Sequence, residues 1–426
     1  MGNVIYNVFQ WGTMIALSKL GSPEMVGLYA LGLAIEAPVM MFAGLQMRTV
    51  QATDAKNEYE FGHYFALRIT TTILAFLTIF TIALVSEYSF EQRVVIIVIG
   101  LAKVFEAVSD VFHGLFQKQE RMDKAAISLM LRGPLSLVAF GLGLYITNSV
   151  LGGVLGLVVS GALTLILYDV RNSKIMMRAI TIHDASSDLY LKALKPRWEY
   201  KTLLKLAWLV LPLGFASLLV SLSANIPRYF LEFYGGATAL GIFAALDYFR
   251  RAGQLVVQAL GQATTPRLSQ YYVAQNGPGF TKLFTRLVMI GVAIGIAGVL
   301  VTIAIGKPLV TLVYTAEYAQ QDIFILIMIA AGLSYVASFL RQTLTAVRRL
   351  RSQLVLKVID VISLIVFCWF LIPVYGMHGA ATAMIISRIV EVVLAIVFVF
   401  PAVFQLQKQK AAVDDVQKIT GTSNVG

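Results

Sequence analysis

The chain contains a single cysteine, Cys368, inside the apolar run Val361 to Ile372, so no disulfide framework is available and the compartment is left open. Its four histidines, His63, His113, His183 and His378, are scattered singly, without the close His/Cys/carboxylate spacing of a metal site, and no metal is expected. Charge is also scarce. Only 13% of the 426 residues are Asp, Glu, Lys or Arg and 58% are hydrophobic, whereas an ordinary soluble domain is about 25% charged. That much apolar surface does not fit inside a water-soluble core, so the expected solvent is lipid. The first apolar stretch has no preceding basic residues and no small-residue cleavage site after it, and reads as a retained helix instead of a removed signal peptide.

What is abundant is apolar stretches near the ~20 residues that cross a bilayer. Bounded by polar or Gly/Pro punctuation, they place helices one to six at Asn3 to Leu20, Val26 to Gln46, His63 to Ser86, Arg93 to Phe116, Lys124 to Thr147 and Val150 to Tyr168. Helices seven to twelve follow at Leu203 to Phe230, Ala237 to Gly261, Leu283 to Gly306, Asp322 to Arg341, Gln353 to Ile372 and His378 to Val403. The fold class predicted is an all-α integral membrane protein of about twelve transmembrane helices in two pseudo-symmetric six-helix lobes.

Basic residues choose the orientation. Lys118, Arg121 and Lys124 lie between helices four and five, Arg267, Lys282 and Arg286 between eight and nine, and Arg348, Arg349 and Arg351 between ten and eleven. The long central connection carries Arg171, Lys174, Arg178, Lys192, Lys195, Arg197, Lys201 and Lys205. The alternate loops hold little beyond Lys19, Arg93, Arg228 and Lys307. The positive-inside rule makes the rich side, and both termini, cytoplasmic. It also accounts for the net charge of +11 through basic margins facing anionic lipid, with no nucleic acid partner.

The chain repeats itself at an offset near half its length. Gly21-Ser-Pro-Glu-Met-Val-Gly-Leu-Tyr-Ala30 matches Gly235-Gly-Ala-Thr-Ala-Leu-Gly-Ile-Phe-Ala244, placing Gly27 over Gly241, and Gly152-Gly-Val-Leu-Gly156 matches Gly376-Met-His-Gly-Ala380. A duplicated six-helix unit follows, its halves sharing one orientation because six is even. The expected divisions are a first lobe at residues 1–168, a cytoplasmic linker at 169–202 lying on the membrane surface, a second lobe at 203–403 and a cytoplasmic tail at 404–426.

Several helices carry charge where lipid would oppose it by at least ~2.5–3.5 kcal/mol per central charge. In helix eight Asp247, Arg250, Arg251, Gln254 and Gln258 share one helical face. Two readings stand: a packed pair of Asp247 with an arginine at i+3 or i+4, or a polar cavity wall, which the surplus of arginines and glutamines favours. By the repeat, Arg250 corresponds to Glu36 in helix two, next to Pro38, and the two are expected to face each other across the pseudo-two-fold axis. Helix one offers Asn3, Asn7 and Gln10, and helix seven Ser221, Asn225 and Arg228, so a cleft walled by helices one, two, seven and eight is expected. Its substrate-binding candidates are Arg250, Arg251, Arg228, Gln254, Gln258, Asn7, Gln10 and Asn225, with Glu36 and Asp247 as ion-coupling or charge-balancing acids. Pro38 and Pro212 are either hinges or static kinks. In helix four Lys103, Glu106 and Asp110 form a second stripe, read as a Lys103–Glu106 ion pair. Arg68, Arg132, Asp360, Arg388 and Glu391 are read as structural, near helix ends or able to snorkel. The pairs Gly152/Gly156 and Gly291/Gly295 have the small-xxx-small spacing of close helix packing.

The Gly27-Leu-Tyr-Ala30 and Gly241-Ile-Phe-Ala244 helix starts, Pro227-Arg-Tyr229, Leu371-Ile-Pro-Val-Tyr-Gly376 and Gly379-Ala-Ala381 give the chain its family likeness. It resembles, over nearly its whole length, the bacterial polysaccharide flippases of the multidrug, oligosaccharidyl-lipid and polysaccharide exporter superfamily. The resemblance implies a V-shaped two-lobe transporter in the bacterial inner membrane, without catalytic residues or cofactor. Such a transporter would move undecaprenyl-diphosphate-linked O-antigen or capsule units from the cytoplasmic to the outer leaflet. Expected partners are the lipid-linked oligosaccharide diphosphate, membrane lipids and a proton or sodium ion. A multidrug cation antiporter of the same superfamily would favour an acidic cleft, whereas this one has excess positive charge suited to a diphosphate. A membrane polysaccharide polymerase or ligase resembles a different layout with a large external loop, and every external loop expected here is short.

Overall fold

The computed structural model describes residues 2–181 and 194–420; His183 and Lys192 of the central connection, and the last six residues of the tail, lie outside them. Regular structure among the described residues is helical. The first half runs α1 (Gly2–Leu20), α2 (Pro23–Gly44), α3 (Met47–Thr53), α4 (Phe61–Val85), α5 (Phe90–Lys118), α6 (Met122–Thr147), α7 (Val150–Leu163), a π-helical segment at Thr164–Val170, and α8 (Arg171–Thr181). Then come α9 (Tyr200–Val273), α10 (Gly277–Val313), α11 (Gln321–Ala346) and α12 (Leu350–Thr420).

Three of these helices are interrupted by a non-helical residue, α10 near its end at Ile305 (φ −134°, ψ 15°). α9 breaks at Gly236 (φ 72°, ψ −179°), a backbone conformation open in practice only to glycine, and α12 breaks at Gly376 (φ 53°, ψ −127°). Dividing them there, and setting the short α3 and the α8 continuation aside, returns the twelve segments read from the sequence. Among the described residues, eight helical stretches are long and apolar enough to cross a membrane as they stand, α9 and α12 included. Their outer faces leave large apolar side chains such as Trp208, Trp369 and Phe370 exposed, which water would oppose and lipid accepts. The chain is a multi-pass membrane protein.

By contact the chain divides into two compact units, Met1–Glu232 with Gly236–Ala244, and Phe233–Gly235 with Ala245–Gly426. The first arm of α9 therefore packs with the first unit, whereas the sequence repeat begins a second half at that arm. Within the first unit the repeat appears as geometry. A side chain on Gly27 would run into the Ala237 backbone, and one on Gly241 into the Pro23 backbone. Pro23 and Ala237 are equivalent under the offset that pairs Gly27 with Gly241, so the contact is reciprocal, as a two-fold relation requires. Lipid tails are as apolar as leucine, so close backbone approach at small residues is what holds such helices together. In the second unit Gly295 of α10 meets Gly332 of α11 backbone to backbone in the same way.

A sharp corner between α2 and α3 sets up the site of the first unit. Leu45 (φ 51°) and Gln46 (φ 46°) both take the left-handed conformation, which disfavours non-glycine residues by about 1–2 kcal/mol each. Burial of Leu45 and a hydrogen bond from the Gln46 amide to the Ser217 hydroxyl (3.1 Å) offset that cost. Met47 then anchors α3 in a core with Tyr64, Phe112, Leu206 and Val210. Asp54 ties the end of α3 down by accepting from the Glu58 and Tyr59 amides, the Tyr64 hydroxyl and Lys118. Burial alone would raise the Asp54 carboxyl, but those backbone donors and Lys118 outweigh it and hold it below the usual carboxylate range.

Candidate functional site

The helix-eight stripe lies on the second arm of α9, in the second unit. Asp247, 2% exposed, accepts from Arg250 Nε at 2.5 Å and Nη2 at 3.2 Å, and from Arg251 Nε at 3.2 Å. The i+3/i+4 pair is thus formed, and by both arginines at once. One carboxylate between two guanidinium groups leaves a surplus of one positive charge. The Arg251 side chain is 38% exposed and lies over the Tyr248 ring at 5.2 Å, whereas that of Arg250 is 15% exposed. Two hydrogen bonds from α11 hold the stripe in place: the Tyr335 hydroxyl donates to the Arg250 carbonyl (3.1 Å) and Gln254 Nε2 donates to the Ser338 hydroxyl (3.1 Å). Gln258, a turn further on, is exposed.

The first arm of α9 holds Asn225 and Arg228, both buried and joined to each other, Arg228 Nη1 donating to Asn225 Oδ1 at 3.4 Å while the Asn225 amide donates to the Ser221 carbonyl at 2.9 Å. The Pro227-Arg228-Tyr229 segment is further fixed by the Tyr229 hydroxyl, which donates to the Ala34 carbonyl of α2.

The first unit contains a cavity of about 360 Å³ that the sequence did not reveal as such. Glu36 lines it from α2, together with Lys103, Glu106 and Asp110 of α5. Lys103 Nζ grips both oxygens of Glu106 at 2.9 and 3.0 Å, the pair read from the sequence. From α1 it is Tyr6, not Asn7 or Gln10, that reaches this cavity, its hydroxyl donating to Glu106 at 3.0 Å; Asn7 is exposed and Gln10 half-buried. Arg68 of α4 donates to Asp110 at 2.9 Å, and Arg48 of α3 stands 3.6 Å from the same carboxylate. Behind the wall Arg132 bonds Ser109 and approaches Asp169 at 3.5 Å. Asp169 belongs to the π-helical segment Thr164–Val170.

These contacts correct the snorkelling view of Arg68, Arg132 and Arg388. All three are buried, because acids from neighbouring helices offer closer partners than the membrane margin does. In the second unit Arg388 binds Asp360 (2.5 Å) and Glu391, Lys357 binds Asp360 (3.1 Å) and Glu391 (3.2 Å), and Arg341 closes on Glu391. Ser387 donates to Asp360 at 2.9 Å. The sequence placed Asp360, Arg388 and Glu391 as structural residues; it did not show that Arg341 and Lys357 complete their network.

Among the described residues no group of three or more His, Cys, Asp and Glu is placed to hold a metal ion. Apolar helices in repeated halves, with ionisable side chains turned inward, define a multi-pass membrane transporter. The fold is similar to an inward-facing multidrug resistance MATE-family transporter of the MOP superfamily (TM-score 0.73, 15% identity, 95% of this chain and 96% of that one). It is also similar to a MOP-superfamily transporter from Pyrococcus furiosus, described as having a binding pocket of reversed polarity that suggests a different function (TM-score 0.62, 16% identity, 95% and 94%). These likenesses establish the fold: all-α, about twelve transmembrane helices, two six-helix lobes. Residues 1–272 match the polysaccharide biosynthesis protein family, and the chain belongs to that family. It is also 29% identical over 398 residues to the capsular polysaccharide biosynthesis protein CapF of Staphylococcus aureus, covering 92% of this chain and 95% of that protein.

Proposed function

We propose that this polysaccharide-related transporter flips an undecaprenyl-diphosphate-linked oligosaccharide from the cytoplasmic to the outer leaflet of a bacterial cytoplasmic membrane, for capsule or O-antigen assembly. The observation that carries the reading is the Asp247–Arg250–Arg251 cluster in a chain of this family. Asp247 orients two arginines without cancelling them, and Arg251 presents an exposed guanidinium whose fork suits phosphate oxygens. Asp247 balances charge in the empty cluster, and the diphosphate takes over that role when bound. Gln254 and Gln258 extend the same face, and Asn225 and Arg228 serve the substrate from the first arm of α9.

A diphosphate with about two negative charges gains about 2.3 kcal/mol per charge per 100 mV on moving outward across an inside-negative membrane, so the potential alone supplies several kcal/mol. A proton or sodium ion on an acid would alter that sum during the return step. Alanine at Arg250 or Arg251 is expected to abolish polysaccharide export with folded protein still in the membrane, and lysine to rescue in part, because it keeps the charge but not the fork. Full export by the double alanine variant would remove these arginines from the site. The orientation assigned here places reporter fusions after Gln119 and Arg349 in the cytoplasm and those after Tyr88, Asn148 and Gly376 outside; one consistent reversal would mean a miscounted helix.

A further inference from the structure

The cavity of the first unit is not used by the diphosphate reading, and its wall has a distinct chemistry. Around it stand Arg48, Arg68, Lys103 and Arg132 against Glu36, Glu106 and Asp110, with Asp169 neutralising Arg132 from behind. The signs balance, so neither a bare anion nor a bare cation is favoured.

Unspent hydrogen-bonding capacity remains on both sides. The Glu36 carboxylate, 5% exposed and facing the cavity, is hydrogen-bonded and ion-paired by none of the described residues. Lys103 donates two hydrogen bonds to Glu106 and keeps a third N–H. Arg48 spends Nε on Gln117 and lies only loosely on Asp110, leaving donors over. The wall also carries apolar surface, from Met40 and Met41 of α2 and Ala107 of α5. Glu36, Met40 and Gly44 recur at one helical turn among the lining residues, so the slot runs along α2 for about 12 Å at 1.5 Å per residue.

We propose that this cavity is a saccharide subsite, distinct from the arginine pair, that takes one pyranose unit of the transported oligosaccharide. A sugar hydroxyl both donates and accepts, and so serves an unpartnered carboxylate and unspent ammonium and guanidinium donors together. The C–H face of the ring matches the Met40, Met41 and Ala107 surface. The volume sits near the lower end of the ~300–1,000 Å³ typical of small-ligand sites, which is room for a sugar ring and not for a whole repeat unit. Glu36 is then a sugar acceptor, where its repeat equivalent Arg250 is a phosphate donor: the duplicated position has diverged to serve two parts of one substrate. This rests on the flippase reading for the identity of the substrate.

The test uses the full chain in nanodiscs and two probes by calorimetry: the lipid-free oligosaccharide released from the host's own undecaprenyl carrier, and undecaprenyl diphosphate without sugar. Glu36→Leu, which removes the acceptor, should weaken the oligosaccharide at least ten-fold, and Glu36→Gln by less. Ala107→Leu narrows the cavity without touching charge and should weaken it too, which guards against a folding artefact; thermal midpoints identify folded samples. All three variants should bind undecaprenyl diphosphate like the wild type, and the Arg250→Ala/Arg251→Ala chain should do the reverse. Oligosaccharide binding unchanged in both folded Glu36→Leu and folded Ala107→Leu would overturn the subsite. So would weakening of undecaprenyl diphosphate by these variants, because the cavity would then be a phosphate site. If the double arginine variant instead keeps full affinity for undecaprenyl diphosphate, the diphosphate anchor fails while the saccharide subsite stands or falls on its own data.

Discussion

The two units bury charge in opposite ways. In the second, Arg341, Lys357 and Arg388 close around Asp360 and Glu391, and both carboxylates are only 1% exposed. In the first, Glu36, Lys103, Glu106, Asp110 and Arg48 stand around an open cavity. Both networks are made of ionisable side chains inside apolar helices, a pattern that marks a functional site by default. What separates them is whether the protein supplies every partner. A closed network is scaffold; one in which no described residue hydrogen-bonds the Glu36 carboxylate has, on the proposal above, kept a place for a ligand.

The comparison breaks most visibly at Glu391. Glu391→Ala leaves three cations facing one acid in a sealed space and should cost about 3–5 kcal/mol, read as loss of folded protein from the membrane. A smaller effect is expected where the helices cross in the first unit. Gly27→Ala and Gly241→Ala each push a methyl group into backbone that cannot give way, at about 1–3 kcal/mol, and equal drops in thermal midpoint would support the two-fold relation. Lys103→Met sharpens the contrast with Glu391. The Glu106 left behind still has the Tyr6 hydroxyl and can be reached by water from the cavity, so the loss should be about 1–2 kcal/mol, below that of the sealed network. At the small end, Arg121→Ala removes an exposed pair with Asp123 and should leave the thermal midpoint unchanged. If Lys103→Met proved as damaging as Glu391→Ala, the distinction between open and closed networks would fail.

The helices were legible because lipid demands an unbroken apolar run, and every such run became a helix. Their polar extensions were not. α9 continues past Gly261 to Val273, and the sixth helix past Tyr168 through a π-helical segment to Thr181, because hydropathy ends at the membrane margin while the hydrogen-bonded backbone does not. Short-range pairs such as Asp247 with Arg250 and Lys103 with Glu106 could be read from helical spacing alone. Arg68 with Asp110, or Arg341 with Glu391, could not, since each depends on which helices become neighbours. The part of α1 that meets the first-unit cavity was also hidden: Tyr6 reaches it, and nothing about Tyr6 in the sequence pointed there. The stripe Lys103–Glu106–Asp110 was the available signal for that cavity, and reading Lys103 and Glu106 as a self-contained pair concealed it.

Under the proposed function, a diphosphate-bearing lipid-linked saccharide crosses the membrane through this protein with Arg250 and Arg251 as its anchor. Proteoliposomes carrying the purified chain and an undecaprenyl-diphosphate-linked oligosaccharide donor, under an imposed inside-negative potential without a pH or sodium gradient, test it most directly. Outward movement should accelerate with the potential in the wild type and be lost with alanine at both arginines. Equal rates in the wild type and the double variant, or movement that answers only to a pH or sodium gradient and vanishes in Asp247→Asn, would contradict it.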